Sequence, residues 1–104
     1  MNTRVVELGS MVYVRAAPET MGDAVAAQTR EVLRSIDRLL QDAGSDKSKL
    51  LTAQVWLADM KDLEAHDAVW NEWVDPAHPP LRACVPALLW RPEMRVEIMV
   101  TAAK

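Results

Sequence analysis

Arg82 and Glu97 stand in two otherwise apolar, strand-like runs near the end of the chain, within "PPLRACVPALLWRPEMRVEI" at residues 79–98. A charge in a packed strand is costly unless it is paired, solvated or used. An arginine fork holds a carboxylate by two parallel hydrogen bonds, and a glutamate can handle protons or water. Side chains alternate along a strand, so Glu97, Met99 and Thr101 share one face, while Val96, Ile98 and Val100 share the other. The second set is uniformly aliphatic and belongs under helices. If Ala83, Val85 and Ala87 also meet the helices, Arg82 and Cys84 join Glu97 on the helix-free face. Two readings of the charges in this last hairpin stay open. One is a cross-strand salt bridge that only sets register. The other is a cleft between subunits with an anion anchor and a water-handling carboxylate. Cys84, a lone cysteine in a strand, reads as a small apolar residue rather than a reactive thiol.

The elements that must position these residues follow from periodicity. "VVELG" and "SMVYVRAA" read as two strands joined by a turn at Gly9–Ser10. From about Thr20 to Ala43, Met21, Val25, Thr29, Val32, Leu33, Ile36 and Leu40 recur at three- and four-residue steps, the pattern of an amphipathic helix. Gly44 is placed to cap its end. "SDKSK" is a polar connector, and "LLTAQVWLADM" is a strand centred on Val55–Leu57. A second helix runs from about Asp62 to Val74, with Leu63, Val69, Trp70 and Trp73 inward, His66 on a solvated polar stretch, and Asp59 or Asp62 as N-cap. Pro76, Pro79 and Pro80 end it. Two strands close the chain, about Leu81 to Leu89 and about Arg95 to Ala102. The order β-β-α-β-α-β-β describes one α+β domain over residues 1–104, a two-layer sandwich with both helices on one face of a sheet. Its other face, mixed and partly apolar, predicts self-association, most often symmetric.

Composition excludes other classes. The 104 residues are 50% hydrophobic and 26% charged, with a net charge of -3 that argues against a nucleic-acid surface. No apolar stretch approaches the roughly 20 residues needed to span a bilayer, so no membrane partner is expected. The first residues lack the apolar core of a signal peptide, and the single cysteine forms no internal disulfide; both make the cytoplasm the expected compartment. His66, His78 and Cys84 have no metal-ligand spacing, and no metal is expected.

Taken together, "VVELGSMVYV", "DAVAAQTREVL", "LLTAQVWLADMKDLEAHDAVWNEWV" and above all "PPLRACVPALLWRPEMRVEI" resemble the RidA (YjgF) family of reactive-intermediate deaminases over nearly the whole chain. The resemblance implies a chorismate-mutase-like fold assembled as a homotrimer, its three sheets closing into a central barrel with clefts at the subunit interfaces. It implies hydrolysis of 2-imino acids, or their enamine tautomers, to 2-keto acids and ammonia without metal or organic cofactor. By the same resemblance Arg82 binds the substrate carboxylate, Glu97 positions or activates water, and Cys84 lines the cleft.

Departures from the family pattern carry their own expectations. Arg15, Ala16 and Ala17 stand where active members usually have a small polar residue followed by Gly-Gln. Ala16 narrows the cleft or forbids the glycine's backbone angles. Arg15 either supplies a second cation for a doubly anionic ligand or pairs with Glu97. Asp67 stands where the family has a cleft-proximal asparagine, adding negative charge. These changes motivate an alternative function: a non-catalytic trimer that binds a small carboxylate, or a partner, in the same cleft.

Overall fold

The computed structural model describes residues 3–104. Its elements are β1 (Val5–Leu8), β2 (Met11–Ala16), α1 (Val25–Asp42), β3 (Leu50–Leu57), α2 (Leu63–Trp73), β4 (Leu81–Pro86) and β5 (Val96–Ala103). Short 3-10 turns at Lys47–Lys49 and Met60–Asp62 precede β3 and α2. The expected β-β-α-β-α-β-β order is the observed one. Helix α1 starts later than its apolar periodicity suggests because Gly22 takes a left-handed backbone, φ 84°, and Ala24 is extended. It ends as expected. Gly44 adopts φ 82°, its N–H donates to Gln41 O, and Ser45 N–H donates to Leu40 O, which satisfies the last carbonyls.

The five strands form one sheet in the order β1-β2-β5-β3-β4. All neighbours are antiparallel except β3 and β4, which run parallel because α2 carries the chain back to the starting end between them. Both helices pack on one face. Val12, Val14, Val55, Ile98 and Val100 of the sheet meet Val32, Leu33, Ile36 and Leu40 of α1 there, all nearly or fully buried. In β5 the alternation falls as the sequence implies: Val96, Ile98, Val100 and Ala102 are buried, and Glu97, Met99 and Thr101 face away.

Two expectations about the end of the chain are corrected. Strands β4 and β5 are not a hairpin; β3 lies between them, so Arg82 and Glu97 cannot form a cross-strand pair within one chain. Nor do Arg82 and Cys84 share Glu97's face. They are level with Ala53 and Val55 of β3, and neighbours in a sheet point the same way, so they follow those buried residues toward the helices. Leu81, Ala83 and Val85 take the open face instead, where Leu81 and Val85 are exposed.

The connector from β4 to β5 is held by Gln28, a buried polar residue of α1. Its Oε1 accepts from Arg95 N–H at 2.8 Å, and its Nε2 donates to Glu93 O at 2.9 Å and Asp23 O at 3.3 Å. Replacing it removes all three of these hydrogen bonds to the backbone. Gln28→Ala is expected to cost about 2–3 kcal/mol, read as a lower urea midpoint with an unchanged slope. A midpoint within error of wild type would show that the clamp is dispensable.

Candidate active site

Arg82 lies on β4, an edge strand, under the flank of α2. Asp67 and Trp70, three residues apart on α2, both reach it. Arg82 Nη2 donates to Asp67 Oδ1 at 2.6 Å, and its guanidinium carbon sits 4.9 Å from the Trp70 ring centre. That distance is within range of a cation–π attraction. Arg82 Nε is buried and has no hydrogen-bond partner among the described residues. The Arg82 side chain is 22% exposed and that of Asp67 36%, so solvent reaches the pair.

Cys84 is half-buried on the same face of β4. Burial pushes its thiol up, Arg82 pulls it the other way, and Asp67 adds to the rise. It therefore lacks the thiolate character of a nucleophile.

His66 departs from expectation. It is not solvated but fully buried, because Thr29 of α1, also buried, supplies a hydrogen bond to its Nδ1 at 3.0 Å. Its Nε2 has no partner among the described residues. Its pKa is pushed down to about 4, first by burial, then by the Arg82 guanidinium, with Asp67 opposing. Histidine in the unfolded chain takes its proton near pH 6.5. Between those values the unfolded state binds more protons, so this group's contribution is complete above pH 6.5 and lost as pH falls toward 4. The span corresponds to about 3 kcal/mol. Urea midpoints should fall across that window more steeply in wild type than in His66→Gln. Parallel curves would contradict a buried neutral His66.

Glu97 lies on the opposite, helix-free face, level with Trp56 of β3. Arg15 of β2 reaches it from the same face. Its Nη1 donates to Glu97 Oε2 at 3.0 Å, and its Nη2 donates to Thr3 O at 3.3 Å. Glu97 also lines a hollow of about 220 Å³ with Trp56 and Leu88. Ala16, next along β2, turns to the helices and is buried. Its backbone is that of a regular strand, since no residue other than glycine has a positive φ among the described residues. Arg15 and Ala16 also border a cleft of about 300 Å³ with Arg4, Trp90 and Arg91.

One chain thus carries two polar clusters on opposite faces of its sheet: Arg82 with Asp67 and Cys84, and Glu97 with Arg15. Sequence reasoning chose these residues and offered the Arg15–Glu97 pair as one of two alternatives, but it set Arg82 and Cys84 on Glu97's face. It missed Trp70 as the guanidinium's aromatic neighbour; the signal was its three-residue spacing from Asp67. Among the described residues no group of His, Cys, Asp and Glu side chains is arranged to hold a metal ion. No helix among them is long and apolar enough to cross a membrane.

The family model described as Endoribonuclease L-PSP matches residues 3–104. A RutC family protein of Haemophilus influenzae is 53% identical over 75 residues, 72% of this chain and 65% of that protein. The chain belongs to the RidA/YjgF family. Its matched segment spans just under two thirds of the Haemophilus influenzae relative, but 87% of the RutC family protein YoaB of Escherichia coli, at 37% identity over 95% of this chain. A RidA/YjgF relative from Acinetobacter baylyi, named 3-aminoacrylate deaminase RutC, is 37% identical over 79% of this chain and 64% of its own length. A solved YjgF family member from Neisseria meningitidis superposes with a TM-score of 0.94 at 43% identity, covering 97% of this chain and 85% of that one. The mixed α+β fold with its five-stranded sheet and two helices is that of the family.

Proposed function

We propose that the protein is a RidA-like hydrolase acting on small 2-imino acids or their enamine tautomers, at a cleft completed by a second copy of the chain. The observation that carries this is the Arg82 guanidinium, set against the Trp70 ring at a sheet edge with a buried N–H lacking an acceptor among the described residues. A substrate carboxylate is the group that fits it. Glu97 of another copy would then face the imine carbon, since the two clusters of one chain lie on opposite faces. A homotrimer closed by the helix-free faces, as the family resemblance implies, brings them together.

The chemistry asks little of the protein. An iminium carbon is already electrophilic, so orientation and a water-handling carboxylate suffice. Water adds to that carbon while Glu97 takes one of its protons, forming a C–O bond and a carbinolamine. Glu97 returns that proton to the nitrogen, then takes the carbinolamine hydroxyl proton as the C–N bond breaks, so that ammonia leaves and a 2-keto acid remains. No metal or organic cofactor enters this scheme. The name of the Acinetobacter baylyi relative supports the reading, because 3-aminoacrylate is itself an enamine bearing a carboxylate. The family model's label points elsewhere, but a chain of net charge -3 is poorly suited to RNA. The cytoplasm, where amino-acid-derived imines arise, suits this activity.

A specific observation favours a second reading. The Arg15–Glu97 bridge ties up the carboxylate needed for water, as expected of a trimer that binds a small carboxylate without hydrolysing it. One assay separates the two. Imines generated in situ by an amino-acid oxidase should release keto acid faster with the protein present. No acceleration, together with calorimetric binding of pyruvate, would replace hydrolysis by binding.

A further inference from the structure

Two of the arginine–carboxylate pairs among the described residues, Arg95–Asp62 and Arg82–Asp67, differ in one respect. Asp62 meets Arg95 along the whole edge of its fork: Nε donates to Oδ2 at 2.9 Å and Nη2 to Oδ1 at 3.0 Å. Asp67 meets Arg82 at a single point, Nη2, and leaves Nε on the same edge bare. Asp62 lies in the turn leading into α2 and can approach its arginine squarely. Asp67 is fixed within α2, and its short side chain reaches only the near corner of a guanidinium set against the Trp70 ring. One donor of this two-bond edge is therefore engaged from within, and the other is buried without an acceptor among the described residues.

We propose that Asp67 is a resident competitor for the Arg82 fork, displaced when a substrate carboxylate binds. This rests on Arg82 being the carboxylate anchor. A free carboxylate can slide into register and make both hydrogen bonds, which a helix-bound aspartate cannot, so the exchange runs in the ligand's favour. It still weakens apparent affinity, because only molecules with the fork released are competent to bind. Without a ligand, Asp67 keeps a half-buried guanidinium neutralised. Asp67 is thus a positioning residue that acts through Arg82. It lowers the affinity of ligands that engage the fork through a carboxylate and leaves neutral analogues, which make no charge-assisted bond to the fork, outside the exchange.

The test uses titration calorimetry with pyruvate and its neutral analogue pyruvamide. Asp67→Asn keeps the shape but removes the competing charge. It is expected to bind pyruvate about tenfold more tightly than wild type, with pyruvamide unchanged. In the imine assay the gain should appear in KM rather than kcat. Asp67→Asn binding pyruvate no more tightly, tightening both ligands equally, or lowering kcat, would overturn the proposal. Arg82→Ala reports separately on the anchor. If it binds pyruvate as tightly as wild type, or if no form of the protein binds pyruvate, the anchor itself is wrong.

Discussion

Arg82→Ala should lower kcat/KM for a small 2-imino acid by about 10²–10³-fold while leaving the protein folded. Two charge-assisted hydrogen bonds to a substrate carboxylate are worth roughly 3–4 kcal/mol together, and their loss accounts for that range. The side chain stands on an edge strand and belongs to no apolar cluster, so truncation opens no large cavity. Its removal does leave Asp67 without a partner, but that carboxylate is solvent-accessible and can be rehydrated. Arg82→Lys should recover only part of the loss, because an ammonium keeps the charge but not the planar fork.

The opposite placement of Arg82 and Glu97 allows a sharper version of the same experiment. If each working cleft joins the Arg82 of one copy to the Glu97 of another, then Arg82→Ala and Glu97→Gln, each nearly inactive alone, should regain activity when refolded together. Mixed assemblies contain some clefts with both natural groups. A mixture no more active than its parts would place the chemistry within one chain or nowhere.

Met99→Glu should dissociate the assembly. Met99 lies in the middle of the helix-free face, level with Arg15 on one side and Gln54 on the other, and is 43% exposed. Around it on that face Leu8, Tyr13, Leu81 and Val85 are exposed too, an apolar surface unusual for a protein that works alone. Closing it against other copies would bring one carboxylate per copy into a dry interface, and the desolvation cost far exceeds any gain from nearby Arg15. Light scattering should give a mass of about three chains for wild type and one for the variant, with far-ultraviolet dichroism unchanged and keto-acid release lost. A wild-type protein that is already monomeric, or a variant of unchanged mass, would refute assembly through this face.

Particular residues mark how far the sequence could be read. Helix α1 was legible because one stripe of Val25, Val32, Leu33, Ile36 and Leu40 repeats at helical spacing, and Gly44 stops it by a purely local backbone conformation. Strand β5 was legible because the branched aliphatic Val96, Ile98 and Val100 fall on every second position, with Glu97, Met99 and Thr101 between them. Strand β4 was not. Leu81, Ala83 and Val85 are apolar, but so are Cys84 and Pro86 on the other side, and alternation gives no sign of which set is buried. His66 was misread for a related reason: a histidine among charged neighbours looks solvated until Thr29, 37 positions earlier, is brought against it.

The family resemblance singled out Arg15 and Asp67; from the pattern of the sequence itself came the order of the elements, the covered face of β5 and the choice of Arg82 and Glu97 as the residues to watch. These depend on side-chain chemistry and on spacing within a few turns or pleats, which neighbours along the chain decide. Only the tertiary structure could set β3 between β4 and β5, turn Arg82 to Asp67 and Trp70, and join Arg15 to Glu97. Strand order and the facing of an edge strand are settled by which distant segments share a core, and no local periodicity carries that information.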